Sequence, residues 1–444
     1  MKIEVDNNVW LMIATIIISC VTFILITLSI LFFPHIQIKK IRLDTYWMIA
    51  LLGALILLCA KIAPINDVWN QLTSNSAINP LKILVLFFSM TILSIFLDEF
   101  GLFKYLAVLA SKKAKGSQFA LFFILYVLTS ILTIFTSNDV VILTLTPFIC
   151  FFCKNAKINP LPYLISEFVA ANTWSTMFII GNPTNIYLAT SAGITFIEYL
   201  KVMAMPTIIA GVTEIVILYM LFHKQLGQEL SQSEETYHIE SKFDLIVGVS
   251  HLAVCLIFLV ISSYLNLEMW FISMICALSL LSFVIITRLI TKKHWNYLSE
   301  TVKRLPYQLI PFFLSMFVIV VALNMQGISS ELGKILSNGS TVWVYGFSSF
   351  FASNIVNNIP MSILFANLPV GLPASSYTEA IYSTIIGSNI GAFLTPIGAL
   401  AGIMFSGLLY KHEVKFSFLD FVKYGAIISI PTISVELLML SVII

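Results

Sequence analysis

Apolar runs follow one another along almost the whole chain, with too little charge between them to clothe a soluble surface. They fall at about 9–33, 46–64, 81–100, 117–135, 139–153, 162–190, 198–222, 244–264, 269–287, 306–326, 341–352, 360–370, 376–409 and 418–443. Charged residues make up 10% of the 444, whereas soluble domains carry ~25%. That balance excludes a soluble enzyme, a nucleic-acid-binding domain and a disordered chain. A spanning helix takes ~20 apolar residues, so the length accommodates about ten. The runs at 139–153, 341–352 and 360–370 are too short to span alone. The expected fold is an all-α polytopic membrane protein.

The run from Val9 to Phe33 exceeds the ~7–15-residue core of a signal peptide. Lys39, Lys40 and Arg42 follow it rather than precede it, so it reads as a true first helix. All six cysteines lie inside apolar segments, which implies no disulfide framework. Cys150 and Cys153 have redox or metal spacing but read as small apolar helix residues.

The basic residues orient the chain. If 1–8, 65–80, 191–197, 265–268 and 327–378 lie outside, then Lys39, Lys40, Arg42, Lys112, Lys113, Lys115, Lys154, Lys157, Lys224, Lys242, Arg288, Lys292, Lys293, Lys303, Arg304, Lys411 and Lys415 lie near inside ends. These are 17 of the 24 basic residues. Lys2, Lys61, Lys82, Lys201 and Lys334 lie near outside ends, and the imbalance satisfies the positive-inside rule. Both termini are then outside, in a plasma-membrane protein whose central loop 223–243 is cytoplasmic. Lysines on both sides of 117–153 make it a re-entrant hairpin with its tip at Ser137-Asn138-Asp139. No Lys or Arg occurs from Ile335 to Tyr410, which suits a second hairpin, 341–370, entering from outside with its tip at Ser353-Asn354.

Two halves result, 1–222 and 244–444, joined by the linker 223–243. The first contains hairpin 117–153 and a broken helix at 162–190. The second contains hairpin 341–370 and a broken helix at 376–409. Their orientations are opposite, as in the inverted repeats of many secondary transporters. Phe135-Thr-Ser-Asn-Asp-Val140 and Phe351-Ala-Ser-Asn-Ile-Val356 share four of six residues. Phe87, Ser89, Met90, Leu97 and Gly101 match Phe313, Ser315, Met316, Leu323 and Gly327 at constant offset. Gly181-Asn-Pro-Thr-Asn185 and Leu394-Thr-Pro-Ile-Gly398 each set a proline inside an apolar run.

Polar tips within a bilayer are costly unless they line a cavity or are buried in protein. Pro183 and Pro396 remove an amide and break their helices. The broken ends expose carbonyls that suit Na⁺ and helix N-termini that suit oxygen-rich or anionic solutes. The substrate-binding candidates are therefore Ser137, Asn138, Asn182, Thr184, Ser353, Asn354, Asn357, Asn358, Asn389 and Thr395. The coupling-ion candidates are Asp139, Asn172, Gly181, Asn185, Gly391 and Gly398. A lone carboxyl at depth, Asp139, carries a proton or neutralises a cation. Glu167 and Glu214 are further coupling candidates inside spans. Asp98-Glu99 reads as a solvated helix end, Lys61 and Lys82 as snorkelling residues, and His251 as a packed, satisfied side chain. No arginine is expected at depth, so a multiply charged anion would have no guanidinium clamp.

With these motifs in place, the chain resembles ArsB-type arsenite/antimonite permeases of the ion-transporter superfamily. That superfamily also holds NhaD-type sodium/proton antiporters and divalent-anion/sodium symporters. The anchors are Leu97-Asp-Glu-Phe-Gly101, Ser137-Asn-Asp139 with Leu143-Thr-Leu-Thr-Pro147, Asn357-Asn-Ile-Pro360, and Gly387-Ser-Asn-Ile-Gly391 with Leu394-Thr-Pro-Ile-Gly-Ala-Leu400. The resemblance implies hairpin tips and broken helices around one substrate site, and alternating access of a transport domain against a scaffold. Asp139 is on the ArsB side, where the symporters usually have Thr. Ala171-Asn172-Thr173 lacks the acid that ArsB-type permeases tend to have there, and Gly181-Asn-Pro-Thr-Asn185 looks more like the anion symporters.

The expected function is a secondary transporter, not an enzyme. It moves arsenite, antimonite or a similar small inorganic oxyanion, coupled to H⁺ or Na⁺. The alternatives are a sodium-coupled carboxylate or inorganic-anion symporter and a Na⁺/H⁺ antiporter of the same fold. The chain has no His-Glu-x-x-His or Gly-x-Ser-x-Gly element and no nucleotide-binding loop, so any ATPase would be a separate subunit. No cofactor is expected beyond Na⁺ as a coupling ion, and a homodimer in the lipid bilayer is compatible with the sequence.

Overall fold

The computed structural model describes residues 2–33, 35–38, 41–74, 79–227, 239, 241–291 and 296–444. The chain begins with α1 (Lys2–Phe32) and a β-hairpin, β1 (His35–Ile38) and β2 (Ile41–Asp44), in which Ile36 pairs with Leu43. Then come α2 (Tyr46–Cys59), α3 (Ile65–Thr73), α4 (Pro80–Glu99), α5 (Leu102–Lys113), α6 (Gln118–Phe135), α7 (Asn138–Ala156) and α8 (Leu161–Trp174). Two 3₁₀ turns, Ser175–Met177 and Ile179–Gly181, separate α8 from α9 (Pro183–Ser191), and α10 (Phe196–Leu226) follows. The remainder comprises α11 (Lys242–Leu265), α12 (Met269–Thr291), α13 (Asn296–Arg304), α14 (Leu309–Met325), α15 (Ile328–Leu336), α16 (Thr341–Val356), α17 (Asn358–Phe365), α18 (Ala374–Gly391), α19 (Leu400–Lys411) and α20 (Phe418–Ile443).

Among the described residues nine helices are long and apolar enough to cross a membrane, so the chain is an all-α, multi-pass membrane protein. Several boundaries differ from the hydropathy reading. The run 46–64 holds only a 14-residue helix, α2; Lys61, at φ +54°, turns the chain before Pro64 starts α3. The run 139–153 is lengthened at both ends into the 19-residue α7, which stops where Lys157 turns left-handed. The second hairpin turns at Asn357, not at Ser353-Asn354. Helix α16 continues to Val356, and Asn357, at φ +74°, caps α17. Most of the linker 223–243 lies outside the described residues.

Local chemistry fixes many helix ends. The Asn79 side chain accepts from the amides of Leu81 and Lys82 ahead of Pro80. Helices α10 and α20 both open with capping boxes, Thr195 with Glu198 and Ser417 with Asp420, each reciprocally satisfying two free amides.

The interior is built from close helix pairs: α16 on α18, α10 along α20, α2 on α14 and α4 on α12. Lipid tails supply little hydrophobic drive for helix association, so small residues that permit close approach carry it. Helix α16 presents Ser349 and Ser353 to Gly387 and Gly391 of α18; a Cβ on either glycine would overlap the facing serine hydroxyl. The outer helices expose apolar side chains, such as Trp10, Ile257 and Ile286, as a lipid-facing surface does.

Arg288, near the end of α12, is buried. Its guanidinium donates to Asp244 at 2.7 Å, tying α12 to the start of α11. Removing one member of a buried pair strands the other, typically at ~3–5 kcal/mol. Arg288→Met should therefore lower the melting temperature of the detergent-purified protein clearly, and adding Asp244→Leu should restore most of it. An unchanged melting temperature in the single variant would show that the pair does not hold these helices.

Candidate functional site

The first hairpin turns at Thr136 and Ser137, both extended in backbone, before α7 begins at Asn138. The Asn138 side chain accepts from the Asp139 amide at 2.9 Å and donates to Asn172 Oδ1 at 3.3 Å, joining the turn to α8. Ser137 places no side-chain cap on α7. Further along α7, Thr146 donates to the buried Glu167 carboxyl at 2.9 Å, so this expected coupling residue faces the hairpin rather than the turn. Cys150 and Cys153 are buried on the same helix.

The first break is closed by amides. Asn182 precedes Pro183 and accepts from the backbone amide and hydroxyl of Thr184. Asn185 donates to the carbonyls of Ser175 and Phe178, the second of which also accepts from the Gly181 amide. Gly181 packs against the Ser175 carbonyl so closely that a Cβ would overlap it. Asn389 of α18 joins this break to the other half of the chain. Its carbonyl accepts from Asn182 at 2.9 Å and lies 2.8 Å from the Ser175 hydroxyl, whose hydrogen is shared with the Asn172 carbonyl at 2.6 Å; its amide donates to Asn185 at 2.6 Å and to the Ile385 carbonyl at 2.8 Å. An asparagine offers two donors and two acceptor sites, so Asn389 is saturated. All four of these side chains are at most 3% exposed.

The second break, between α18 and α19, is sewn to the second hairpin. Asn354 donates to the Gly391 carbonyl at 3.0 Å and accepts from Thr395 at 2.7 Å. Asn357 donates to the Ile397 carbonyl at 2.9 Å, and the Asn358 amide to the Gly398 carbonyl at 3.0 Å. Ser353 sits one turn earlier, its hydroxyl bonded to the Phe350 carbonyl. Pro396 lies in the break, flanked by these contacts.

A cavity of about 1370 Å³ links the first turn to the second break. Ser137, Asp139 and Leu143 line one side, Pro396, Ile397 and Leu400 another, with Tyr46 and Phe87 between. Asp139 has no hydrogen bond or ion pair from its carboxyl among the described residues, and Tyr46 is its neighbour within electrostatic reach. The expected site residues thus divide. Ser137, Asp139 and Pro396 reach the cavity, whereas Asn172, Asn182, Asn185 and Asn389 hold the buried frame behind it.

Arg304 lines the same cavity and was not anticipated there. It pairs with Asp98 at 2.6 Å and Glu99 at 2.5 Å, and Thr144 donates to Asp98 at 2.8 Å. Asp98 is only 8% exposed in its side chain, so the solvated-end reading of Asp98-Glu99 is corrected. Burial is tolerated because a guanidinium and a hydroxyl satisfy the carboxylate. The available signal was two acids closing one apolar run and an arginine opening another, on the same predicted face of the membrane. His251 is satisfied, as expected, by the Val247 carbonyl and Ser279.

Comparison with known proteins gives this geometry a context. Residues 38–384 match the model of a family described as citrate transporter. The arsenical pump membrane protein of Escherichia coli K12 is 27% identical over 404 residues, covering 87% of this chain and 91% of that protein. An uncharacterized transporter of Mycobacterium tuberculosis H37Rv is 24% identical over the same shares of both chains. In three dimensions, the YdaH transporter of Alcanivorax borkumensis superposes with a TM-score of 0.52 at 13% identity, covering 97% of this chain and 98% of that one. That likeness speaks to the fold.

The saturated amide frame generates a direct expectation. Asn389→Ala removes the partners of the Asn182 side-chain amide and the Asn185 side-chain carbonyl in the interior, and each unsatisfied buried group costs ~1–3 kcal/mol. The variant should insert but melt at a markedly lower temperature than wild type, with at least a tenfold loss of transport. Wild-type stability and transport would show that the break closes without this residue.

Proposed function

The chain belongs to the citrate transporter family, and on that premise we propose that it is a secondary active transporter moving arsenite, antimonite or a similar small inorganic oxyanion, driven by an ion gradient. The observation that carries this reading is the unpaired Asp139 carboxyl in a cavity bounded by the turn of one hairpin and the helix break of the other half. The arsenical pump relatives, similar over most of their length, support the substrate class.

The cavity chemistry fits a small, weakly charged solute. Phe87, Leu143, Ile397 and Leu400 give apolar walls, and Ser137 gives a hydroxyl near Asp139. The guanidinium that reaches the cavity, Arg304, is already paired with two acids. A neutral trihydroxide needs hydrogen bonds and a dry pocket rather than a cationic clamp. Asp139 would bind the coupling proton or Na⁺, and its charge change would decide when the hairpin tip parts from α8 and from the second break. The lining residues Lys303, Arg304 and Lys411 belong to the face read as cytoplasmic, so the cavity opens inward in this conformation. Movement of the two hairpins and two breaks against α10 and α20 would then give alternating access, with the halves acting as an inverted repeat.

A sodium-coupled carboxylate symporter is the second reading. Lys411 at the cavity and the Gly181-Asn-Pro-Thr-Asn185 form favour it. A membrane-embedded enzyme is disfavoured, because the family and its relatives are transporters.

The test is uptake into energised inside-out vesicles carrying wild type or Asp139→Asn. Wild type should accumulate arsenite in a protonophore-sensitive manner, and Asp139→Asn should reduce that uptake at least a hundredfold while remaining inserted. Undiminished uptake in the variant would remove Asp139 from the mechanism. Uptake of citrate or an inorganic oxyanion that requires Na⁺, with none of arsenite, would select the second reading.

A further inference from the structure

Two glutamates outside this cavity face one another across the α10–α20 pair. Each lies 19 residues beyond the capping residue of its helix, Glu214 beyond Thr195 and Glu436 beyond Ser417 (214 − 195 and 436 − 417). The two helices thus carry the same pattern: a capping box followed by one acid at the same depth. Both side chains are 0% exposed and interact electrostatically with each other. Among the described residues no lysine, arginine or histidine is paired with either.

The hydrogen bonds around Glu214 contain too few hydrogens. Thr173 donates to its Oε1. Its Oε2 lies 3.3 Å from the Tyr126 hydroxyl, but that hydroxyl has one hydrogen and a shorter contact, 2.7 Å, to the Gly211 carbonyl. The same oxygen already accepts from Trp174 Nε1 at 3.1 Å. With Tyr126 donating to Gly211, the remaining contact is filled only if Glu214 carries a proton on Oε2 and donates it.

Glu436 has the same deficit. Its Oε1 lies 3.2 Å from Thr176 Oγ1, which also meets the Thr173 carbonyl at 2.6 Å and Thr207 Oγ1 at 2.8 Å. Thr176 has one hydrogen for three neighbours, and Thr207 directs its own to the Met203 carbonyl at 2.7 Å. With the Thr176 hydrogen on the Thr173 carbonyl or on Thr207, a proton on Glu436 Oε1 is what fills the Glu436–Thr176 contact. Glu436 Oε2 is buried with no hydrogen-bond partner among the described residues, and a neutral acid leaves an orphaned carbonyl oxygen there at far lower cost than an orphaned carboxylate oxygen.

The surroundings add no compensating charge. From α6 the titratable group facing the pair is Tyr126; on α10 itself it is Tyr199, which donates to the Thr176 carbonyl. From α18 it is Tyr382, its ring against Tyr199. Helix α16 carries no charged residue, and His251 of α11 is bonded elsewhere.

The pair also touches the moving part. Thr173 ends α8, and Thr176 lies in the first 3₁₀ turn beside Ser175, which binds Asn389. We propose that Glu214 and Glu436 form a proton-binding pair, both protonated in this conformation, that gives up a proton when the break at 175–181 shifts against α10 and α20. Each step makes or breaks one O–H bond and changes the pair by one unit of charge. As a coupling device the pair rests on the transporter reading; as a proton site it does not.

The test uses purified full-length protein and a substrate-independent readout. Infrared spectroscopy in H₂O and D₂O should show carbonyl bands of buried protonated carboxyls at neutral pH. Glu214→Gln and Glu436→Gln should each remove one band, with Glu167→Gln identifying any contribution from that residue. Glutamine keeps a donor at each position, so the frame survives. In proteoliposomes, both variants should lose at least tenfold of the arsenite uptake driven by an imposed pH gradient. Absent bands in wild type, or bands unchanged in both variants, would overturn the proton site. Loss of the bands with full gradient-driven uptake would overturn its role in coupling. Bands present and lost as predicted, in a protein that moves no arsenite, would support the pair and overturn the substrate assignment alone.

Discussion

A polar group inside an apolar interior has no water to fall back on, so every break in a buried helix must be closed by protein. In this chain that constraint is met largely by asparagine. Asn185 serves the carbonyls of Ser175 and Phe178, Asn357 serves the second break, and Asn389 ties the first break to α18 with every donor and acceptor engaged. An amide is suited to this because it both donates and accepts without carrying charge. The helix pairs, the cavity and the placement of the acids all depend on those two breaks being stable.

The saturated frame makes the unsaturated groups conspicuous. Among the described residues Asp139 has a carboxyl lining the cavity with no hydrogen-bond or ion-pair partner, and Glu436 has a buried oxygen without one. The first lines the cavity, and the second is fully buried against Thr176. If the chain is a carrier as proposed, Asp139 would serve where solute and ion meet, and the glutamate pair would serve where scaffold and moving element slide. Between them runs a continuous hydrogen-bonded segment, in which Ser175 meets Asn389 while its neighbours Thr173 and Thr176 contact the glutamates.

Much of this was legible in the residues alone. Scarce charge and long apolar runs give the multi-pass helical class, and Pro183 and Pro396 mark both breaks because proline removes an amide wherever it stands. The turn at Ser137 is readable because lysines bracket its hairpin. The second turn was misplaced by three residues, since a left-handed Asn357 leaves no periodicity signal. The β-hairpin at 35–44 was not readable, and the Arg304–Asp98–Glu99 cluster left only the hint of acids and an arginine at neighbouring run ends. The former is too short for a pattern, and the latter joins residues some two hundred positions apart, a pairing only tertiary structure supplies. The roles of the asparagines also needed coordinates. Sequence shows that Asn182, Asn185 and Asn389 sit near breaks, but not that their hydrogen-bonding capacity is filled by one another.

The most direct measurement is the two-sided accessibility of the cavity. A single cysteine at Ser137, in a background otherwise free of cysteine, would be labelled with a membrane-impermeant thiol reagent from each face of sealed vesicles, at rest and with substrate and gradient present. The account predicts labelling at rest only from the face that carries Arg304 and Lys411, and labelling from the opposite face as well during turnover. Labelling from one face alone under every condition, in a variant that still transports, would contradict alternating access through this cavity.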